Sequence, residues 1–398
     1  MAKVPIGIDV LTAARRRISQ VFDDFPRIYV SFSGGKDSGV MLHLVMQEAM
    51  TRGRKVGVLF VDLEAQYRMT IDYVRSEFAR YADHIEPYWV ALPIHLRNAV
   101  SQFEPQWVCW QPGRESDWVR QPDPMSITDE SAFPFFRRAM EFEEFVPEFG
   151  QWYAQGKLCA CFVGIRSDES LNRYRTIARR KSTFDGRQWM TWCGDHLYNA
   201  YPIYDWRTED IWTFNGKFKA PYNPLYDRMH QAGLTIHQAR ICQPYGDDQR
   251  KGLWLFHIIE PETWGRVLAR VNGANQGALY VQESGNVLGY RSISKPPHLN
   301  WQQFAEMILG SMPPGTADHY RNKIAVFLKW YRDRGYPHGI PDDGSATDKT
   351  LPSWTRVCKA LLRNDYWCKG LSFTQNKTTA FAKYQQLMKK RRAEWGLI

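Results

Sequence analysis

The sequence predicts an α/β protein in which a doubly wound, mainly parallel sheet is followed by a mostly helical C-terminal domain. Three features indicate this fold class. Short apolar runs alternate with amphipathic stretches in the N-terminal part of the chain, which favours parallel strands joined by right-handed crossovers. The run at 55–64 is apolar almost throughout, as is typical of a strand buried on both faces. Helical patterns dominate after residue 230.

Each predicted element has a local signal. β-branched and aromatic residues fill the strands, and apolar residues recur at helical spacing in the helices. Gly53 is a stop signal at the end of one helix. In chain order the predicted elements are a helix at 9–22, a strand at 27–33, a helix at 38–53, a strand at 55–64, a helix at 70–83, strands at 85–93 and from 159, and a basic helix at 171–181.

Two domains are expected. The first covers residues 1–230 and carries an insertion at about 96–155, which is rich in Trp, Pro and Glu and interrupts the alternation of strands and helices. We expect this insertion to act as a lid or a subunit contact, because long segments without regular structure are often functional. The second domain covers residues 231–398 and is mostly helical and basic.

Bulk composition narrows the class of partner. The chain has 398 residues and a formal net charge of +10, which favours an anionic partner such as a nucleotide or a nucleic acid. Its seven cysteines include no C-x-x-C pair, which argues against a zinc ribbon. No signal peptide is recognisable, and no apolar run approaches the ~20 residues of a membrane helix. We therefore expect a cytoplasmic protein with reduced thiols and no membrane partner.

A glycine-rich break separates the strand at 27–33 from the helix that follows it. Small residues let a phosphate approach the backbone, and the helix N-terminus supplies unpaired N–H groups and positive potential. A lysine adds a charge, and two serines add hydroxyl donors. The break therefore predicts a phosphate cradle, made of Ser33, Gly34, Gly35, Lys36, Asp37 and Ser38.

Polar residues also end the other predicted strands. Asp62 lies at the carboxyl end of the strand at 55–64, and Arg166 follows Gly164 at the end of the strand from 159. Both lie at the carboxyl edge of the sheet, where open α/β folds bind ligands. Asp168 and Glu169 either orient Arg166 or cap the next helix.

Asp205 and Trp206 lie further along the chain. They either hold the floor of this site or have a purely structural role.

These motifs resemble those of a known superfamily. Ser33–Ser38 resembles the pyrophosphate-binding loop of the PP-loop ATP pyrophosphatases, and residues 164–170 and 201–206 resemble motifs of phosphoadenosine phosphosulfate (PAPS) reductases. The resemblance implies an adenine nucleotide alpha hydrolase-like fold that binds ATP with Mg²⁺. It further implies Lys36 and Arg166 as catalytic residues. The implied nucleotide-binding residues are Phe32, Ser33, Gly34, Gly35, Lys36, Asp37, Ser38, Asp62, Gly164 and Arg166.

The sequence also departs from those reductases. It lacks their C-terminal Glu-Cys-Gly-Leu-His motif and the cysteine motifs that hold an iron–sulfur cluster, so no cluster is expected. Cys242 is the candidate thiol, because Arg240, Arg250 and Lys251 can lower its pKa, although burial in the structure is the alternative.

A polar stretch follows Cys242. It is either a solvated loop or a loop that closes over the nucleotide. Candidate magnesium ligands are Asp37, Asp247 and Asp248.

The whole arrangement resembles a PAPS reductase-like branch that includes the immunoglobulin-binding regulator A proteins, which are commonly encoded beside a ParB-like partner. The resemblance implies an ATP pyrophosphatase or adenylyltransferase that activates an acceptor. One alternative is a sulfonucleotide reductase or sulfotransferase with a non-standard thiol, Cys242 or Cys368. Another is a nucleotide-sensing regulatory module that acts with a ParB-like protein. Nucleic-acid binding through the basic C-terminal domain and homo-oligomer formation are further expectations.

Overall fold

The computed structural model describes residues 7–101, 104, 106–178, 183–241, 253–271, 293, 295–312, 314–333, 335–344, 352–362, 365 and 368–371. The chain divides into two compact units, one made of residues 1–96 and 107–271 and the other of residues 97–106 and 272–398. Among the predictions, those for Cys242, for Asp247 and Asp248 and for the basic C-terminal end concern residues outside the described set.

The first unit is built around one six-stranded sheet. The strands of the chain are β1 (Arg27–Ser31), β2 (Val56–Val61), β3 (Ile85–Val90), β4 (His95–Arg97), β5 (Gln106–Val108), β6 (Cys159–Val163), β7 (Met190–Gly194) and β8 (Leu197–Ala200). The order in the large sheet is β3–β2–β1–β6–β8–β7. All neighbours pair in parallel except β7, which is antiparallel to β8. β4 and β5 form a separate two-stranded sheet.

The described part of the chain contains helices before, between and after these strands, and most strands are followed by one, as the sequence pattern predicts. They are α1 (Val10–Asp24), α2 (Lys36–Thr51), α3 (Arg68–Arg80), α4 (Phe142–Ala154), α5 (Leu171–Ala178), α6 (Thr208–Phe218), α7 (Leu225–Gln231), α8 (Trp254–Ile259), α9 (Pro261–Arg270), α10 (Trp301–Gly310), α11 (Pro314–Arg332) and α12 (Trp354–Leu362). Short 3₁₀ helices lie at Ala82–His84, Glu115–Asp117, Glu130–Ala132 and Lys369–Leu371. None of the described helices is long and apolar enough to cross a bilayer.

Both faces of the large sheet are covered by helices. Side chains alternate between the faces along a strand, so neighbouring residues of β1 pack in different layers. Ile28 and Val30 join the core formed with α1, α2, α3 and α6. Tyr29 packs on the opposite side against Phe149 and Tyr153 of α4, with ring centroids 5.4 and 5.3 Å away. The predicted α/β, doubly wound, mainly parallel fold is confirmed.

The strand order places a switch point beside β1. The chain runs from β1 to β2 on one side of it, and β6 pairs with β1 on the other side. Open parallel sheets form a crevice at such a point, outside the carboxyl ends of the two strands. The segments that follow β1 and β6 therefore meet at one edge of the sheet, and these are the segments that carry the predicted cradle and Arg166.

The first unit extends beyond the boundary near residue 230 that the sequence suggests. Glu260 accepts hydrogen bonds from the backbone N–H groups of Arg68 and Met69, at 2.9 and 3.1 Å. Arg270 pairs with Glu64 at 2.9 Å. These contacts join α8 and α9 to the end of β2, and residues up to 271 accordingly lie in the first unit.

The described part of the second unit beyond residue 292 is helical. α10, α11 and α12 surround a core that includes Tyr320, Ile324, Phe327 and Val357. The first three of these residues lie about one turn apart on the buried side of α11.

Candidate functional site

The cradle predicted from the sequence is a tight connection between β1 and α2. Gly34 has a φ of +72°, and a Cβ atom there would lie 2.8 Å from Thr70 Cγ2. The backbone conformation and the close approach both require glycine. Asn223 Nδ2 donates to Gly34 O and to Thr70 Oγ1, each at 3.0 Å. The loop is therefore held between the start of α3 and the segment before α7.

The start of α2 offers hydrogen-bond donors. Its N-cap, Gly35, provides no side-chain cap. The first backbone bond of the helix runs from Gly39 N to Gly35 O, at 2.8 Å. The N–H groups of Asp37 and Ser38 thus have no backbone acceptor among the described residues. The Ser38 hydroxyl lies 3.0 Å from both Ser33 Oγ and Gly35 O. This end of the helix has the donors and the positive dipole that suit an anion.

Lys36 is held by one group on α7 and one group that follows α7. Its backbone N–H donates to Tyr226 Oη at 3.0 Å, and its Nζ donates to Ala239 O at 3.2 Å. Nζ also lies 3.4 Å from Asp37 Oδ2 and 5.2 Å from the centroid of the Tyr226 ring. The side chain is only 6% exposed. A phosphate bound in the loop would compete with Tyr226 and Ala239 for these two donors.

Arg166 joins the loop from β6, as the sequence predicts. Its Nε donates to Asp37 Oδ1 at 2.5 Å, and the residue is 2% exposed. Its Nη1 is buried and has no hydrogen-bond partner among the described residues. A Cβ atom on Gly164 would lie 2.9 Å from Asp37 O, so glycine allows the end of β6 to lie against the start of α2.

The structure separates the two roles proposed for Asp168 and Glu169. Ser170 caps α5, because its Oγ accepts from Arg173 N at 3.2 Å. The Glu169 carboxylate lies 3.9 Å from Arg166 Nη2 and 3.4 Å from Arg173 Nε, which fits an orienting role rather than a cap. Burial, with a smaller effect of the Asp37 charge, raises the pKa of Glu169.

Asp62 differs most from its expected role. It lies at the carboxyl end of β2 but has 0% exposure. Its carboxylate accepts hydrogen bonds from Arg120, from Trp89 Nε1 at 2.9 Å and from Glu64 N at 3.1 Å. These partners use both oxygens. Asp62 therefore anchors Arg120 to the end of β2 instead of presenting an exposed group to a ligand.

Asp205 and Trp206 hold α1 against the sheet. Asp205 forms a two-pronged ion pair with Arg17, at 2.9 and 2.8 Å, and Trp206 Nε1 donates to Val10 O at 3.0 Å. These contacts support the structural alternative. Phe32 is likewise part of the core, 2% exposed and edge-on to Tyr73.

The described carboxylates do not fit a resident magnesium ion. Asp37 already has Arg166 at one oxygen and Lys36 at the other. Within the described ranges no group of three His, Cys, Asp or Glu side chains could hold a metal ion. The proposed ligands Asp247 and Asp248 lie outside those ranges.

The buried thiols among the described residues are poorly suited to attack a substrate. Cys368 is buried, and burial raises its pKa to about 12. Cys159 and Cys161 are buried on β6, as expected, and burial raises the pKa of both thiols, that of Cys159 to about 12. A thiol with such a pKa is almost entirely protonated near neutral pH, and the thiolate is the nucleophile.

Several residues at the loop were not identified from the sequence. Asn223 and Tyr226 belong to a turn at 222–227 whose match to the reductases was the only local signal, and Ala239 had none. Arg120 and Arg270 reach the end of β2 from 58 and 206 residues away, in contacts to Asp62 and Glu64.

A cavity of about 340 Å³ lies at the end of β2 in the first unit. We call it the arginine cavity. Its lining includes Gln66, Arg68, Arg120, Glu262, Thr263 and Arg266. A larger and more open groove of about 700 Å³ shares Arg68, Glu262 and Thr263 with it.

Comparison with known proteins shows a relative that matches this chain from end to end. The uncharacterized protein YbdN of Escherichia coli (strain K12) is 46% identical over 400 residues, which span 100% of this chain and 98% of YbdN. A family model described as "Domain of unknown function (DUF3440)" matches residues 233–340.

Two further similarities each cover only part of the chain. Adenosine 5'-phosphosulfate reductase of Allochromatium vinosum is 26% identical over 104 residues, which are 26% of this chain and 36% of that protein. The crystal structure of PAPS reductase from Candida auris in a phosphate complex is 15% identical, with a TM-score of 0.33, and the match covers 54% of this chain and 84% of that chain.

Proposed function

We propose that this chain, which belongs to the same family as YbdN and to the PAPS reductase-like branch of the PP-loop ATP pyrophosphatase superfamily, is an enzyme that binds ATP and cleaves its α–β bond to adenylylate an acceptor. An acceptor oxygen attacks the α-phosphorus, and the new P–O bond replaces the bond to the β-phosphate. Pyrophosphate leaves with the bonding electron pair. No redox step is involved.

The observation that carries this proposal is the convergence of the Ser33–Ser38 loop and Arg166 at the switch point of the sheet. The start of α2 supplies backbone donors, and Lys36 and Arg166 supply two buried cations. Asp37 pairs with both cations, and Glu169 lies near Arg166 and Arg173, so three cations face two carboxylates and the cluster retains positive charge. That charge suits a pyrophosphate leaving group.

The residues of the loop would act mainly by electrostatic stabilisation. Fixed donors aimed at developing negative charge need no reorganisation during the reaction. Arg166 is fixed by Asp37 and has an unpaired Nη1 to offer. Lys36 would exchange Ala239 O for a phosphate oxygen, which is a stronger acceptor for a cation.

The direct test is incubation with ATP and magnesium ions, with AMP and pyrophosphate separated by chromatography. Binding is measured in parallel by calorimetry with the ATP analogue AMPCPP. We expect Lys36→Ala to lower turnover by about 10²-fold or more, as for the loss of a comparable charge-stabilising donor. Lys55→Ala is the matched control, because Lys55 is an exposed lysine of the same unit.

The outcomes separate the alternatives. AMPCPP binding without formation of any AMP-containing product from ATP and any acceptor would favour a nucleotide sensor. Consumption of PAPS in the presence of a thiol reductant, with loss of activity in Cys242→Ser, would favour a sulfonucleotide reductase. The high pKa of Cys368 argues against that residue as the reductase nucleophile. No binding of AMPCPP by the wild-type protein would overturn the proposal.

A further inference from the structure

We infer that the arginine cavity binds the acceptor through a tetrahedral dianion, a phosphate or sulfate group carried by a small molecule. This inference rests on the proposed function, since it names the substrate class that would meet the activated nucleotide. It concerns residues outside the Ser33–Ser38 loop.

Three chain segments build the cavity and are fixed to one another. Gln66 and Arg68 follow β2, Arg120 comes from the insertion, and Thr263 and Arg266 lie on α9. Arg266 Nη1 donates to Val119 O at 3.3 Å, which joins α9 to the insertion.

Two sets of polar contacts hold these segments in place, and the first of them is buried. The Glu64–Arg270 ion pair connects α9 to the end of β2. Glu260 binds the first N–H groups of α3, Arg68 N and Met69 N. The cavity is thus a built feature of the first unit, because its walls are joined by buried or partly buried polar contacts.

The charge of the lining points to an anion. Neither Arg68 nor Arg266 has a carboxylate within ion-pair distance among the described residues, and Glu262 is the only acidic residue in the lining. Arg120 pairs with Asp62, but its Nε is buried and lacks an acceptor in the described part of the chain. Arg68 and Arg266 are exposed, so a ligand in the cavity can reach both guanidinium groups.

Guanidinium groups also match the geometry of such a ligand. Their planar arrays of N–H donors suit phosphate and sulfate, which carry several oxygens for two-pronged hydrogen bonds. Arg68 and Arg266 have no ion-pair partner among the described residues. Together they neutralise a dianionic ligand better than they match a singly charged ligand such as a carboxylate. The volume of about 340 Å³ is near the lower end of the range for small-molecule sites, which favours a small ligand over a macromolecule.

The position of the cavity suits an acceptor. β1 and β2 are parallel neighbours, so the loop after β1 and the residues after β2 leave the same edge of the sheet. Thr70, on the same helix as Arg68, shares the Asn223 donor with Gly34 O. The cavity wall and the phosphate cradle therefore both depend on the first turn of α3.

The test is calorimetric titration of inorganic phosphate, sulfate and acetate into the full-length protein saturated with AMPCPP. We expect phosphate and sulfate to bind more tightly than acetate. Arg68→Gln and Arg266→Gln should each weaken phosphate binding by about tenfold, the loss of one charge-assisted hydrogen bond. Glu262→Gln should strengthen it, since it removes the opposing charge.

Arg16→Gln is the matched control, because it removes the charge of an exposed arginine on α1 and should leave phosphate affinity unchanged. The thermal midpoint of each variant verifies folding. Equal phosphate affinity in the Arg68, Arg266 and Glu262 variants and the wild type would overturn the inference. A phosphate affinity that falls as much in Arg16→Gln as in the Arg68 and Arg266 variants would also overturn it.

The same titration distinguishes failure of this inference from failure of the proposed function. It is repeated without AMPCPP in Lys36→Ala, where the Ser33–Ser38 loop has lost its lysine. Absence of AMPCPP binding by the wild-type protein, with a phosphate affinity that still depends on Arg68 and Arg266 in the Lys36→Ala background, would reject ATP use and leave the anion site standing. Normal AMPCPP binding with no dependence on the arginines would reject the anion site alone.

Discussion

The Tyr226 hydroxyl accepts a hydrogen bond from a backbone N–H that a phosphate in the cradle would need. Its hydroxyl accepts from Lys36 N, the first N–H group of α2, and its ring lies beside Lys36 Nζ. A ligand phosphate and the tyrosine hydroxyl cannot both be the principal acceptor of that N–H. The affinity of the loop for a nucleotide is therefore set partly by an internal competitor.

Tyr226→Phe should strengthen binding of AMPCPP. The change removes the competing acceptor but keeps the ring, and a neutral hydrogen bond contributes about 0.5–1.5 kcal/mol, so a gain of up to about tenfold is expected. Calorimetry measures it. Tyr222→Phe is the control, because the Tyr222 hydroxyl bonds Asp227 instead. Weaker binding in Tyr226→Phe would show that the hydroxyl supports the ligand.

Glu77 makes stability depend on pH. It lies on α3 with 0% exposure, 3.6 Å from His43 and 3.2 Å from Arg80, and burial raises its pKa to about 7. Burial also lowers the pKa of His43. The Tyr81 hydroxyl lies in the same cluster, 2.8 Å from His43 Nδ1. The folded protein holds the Glu77 proton to a higher pH than the unfolded chain does.

The free energy of unfolding should therefore fall between about pH 4.5 and 7 through Glu77, because deprotonation is harder in the folded state. Glu77→Gln removes this term. We expect the variant to gain on the wild type as pH rises through that window, by ~3 kcal/mol at most. Denaturant unfolding at pH 5 and pH 8 measures the difference. A gap between the two proteins that stays constant with pH would contradict this assignment.

At the scale of elements, α9 is attached to the end of β2 by one buried ion pair. Glu64 has 0% exposure and a φ of +59°, an uncommon conformation for a residue with a side chain. Its carboxylate accepts from Arg270, Trp110 N and Val119 N. One side chain thus organises α9 and the insertion around the strand end. The insertion accordingly forms part of the wall around the sheet edge.

Arg270→Met should destabilise the protein strongly. It leaves the Glu64 charge buried without its cationic partner, which typically costs about 3–5 kcal/mol. Chemical denaturation followed by tryptophan fluorescence measures the change. Arg138→Met is the matched control, since the Arg138–Glu130 pair is exposed and such pairs contribute about 0–1 kcal/mol. Similar losses in the two variants would contradict the role assigned to Glu64.

At the scale of the whole molecule, the two compact units have different expected roles. The cradle, Arg166 and the arginine cavity all belong to the unit of residues 1–96 and 107–271. The second unit contributes its own helical core. A ParB-like partner, nucleic-acid binding and homo-oligomer formation stay predictions. The basic C-terminal end, which bears on the nucleic-acid prediction, lies outside the described residues.

Hydrogen exchange with mass spectrometry tests this division. A ligand that binds only the folded first unit stabilises it by mass action. We expect AMPCPP to slow exchange in peptides of the first unit, most strongly at the start of α2. Peptides of α10, α11 and α12 should be unchanged and serve as the internal control. Equal protection in both units would show that nucleotide binding is coupled to the second.

Most of the sheet was predictable because its signals are local. The apolar run of β2, the helical spacing of α2 and the glycines between β1 and α2 report on neighbouring residues only. The positive φ of Gly34 agrees with the residue that adopts it most easily. Alternation of such elements then implies parallel pairing, and with it the sheet edge where Arg166 was expected.

The sequence by itself thus determined the α/β architecture, the glycine-rich connection between β1 and α2, and the position of Arg166 beside that connection. Only the tertiary structure decided the partners of each charge. Asp62 is buried by Arg120, 58 residues away, and Arg166 binds Asp37, 129 residues away. The arginine cavity likewise combines residues that follow β2 with residues of the insertion and α9. Local patterns specify elements, whereas burial and pairing depend on which distant segments the folded chain brings together.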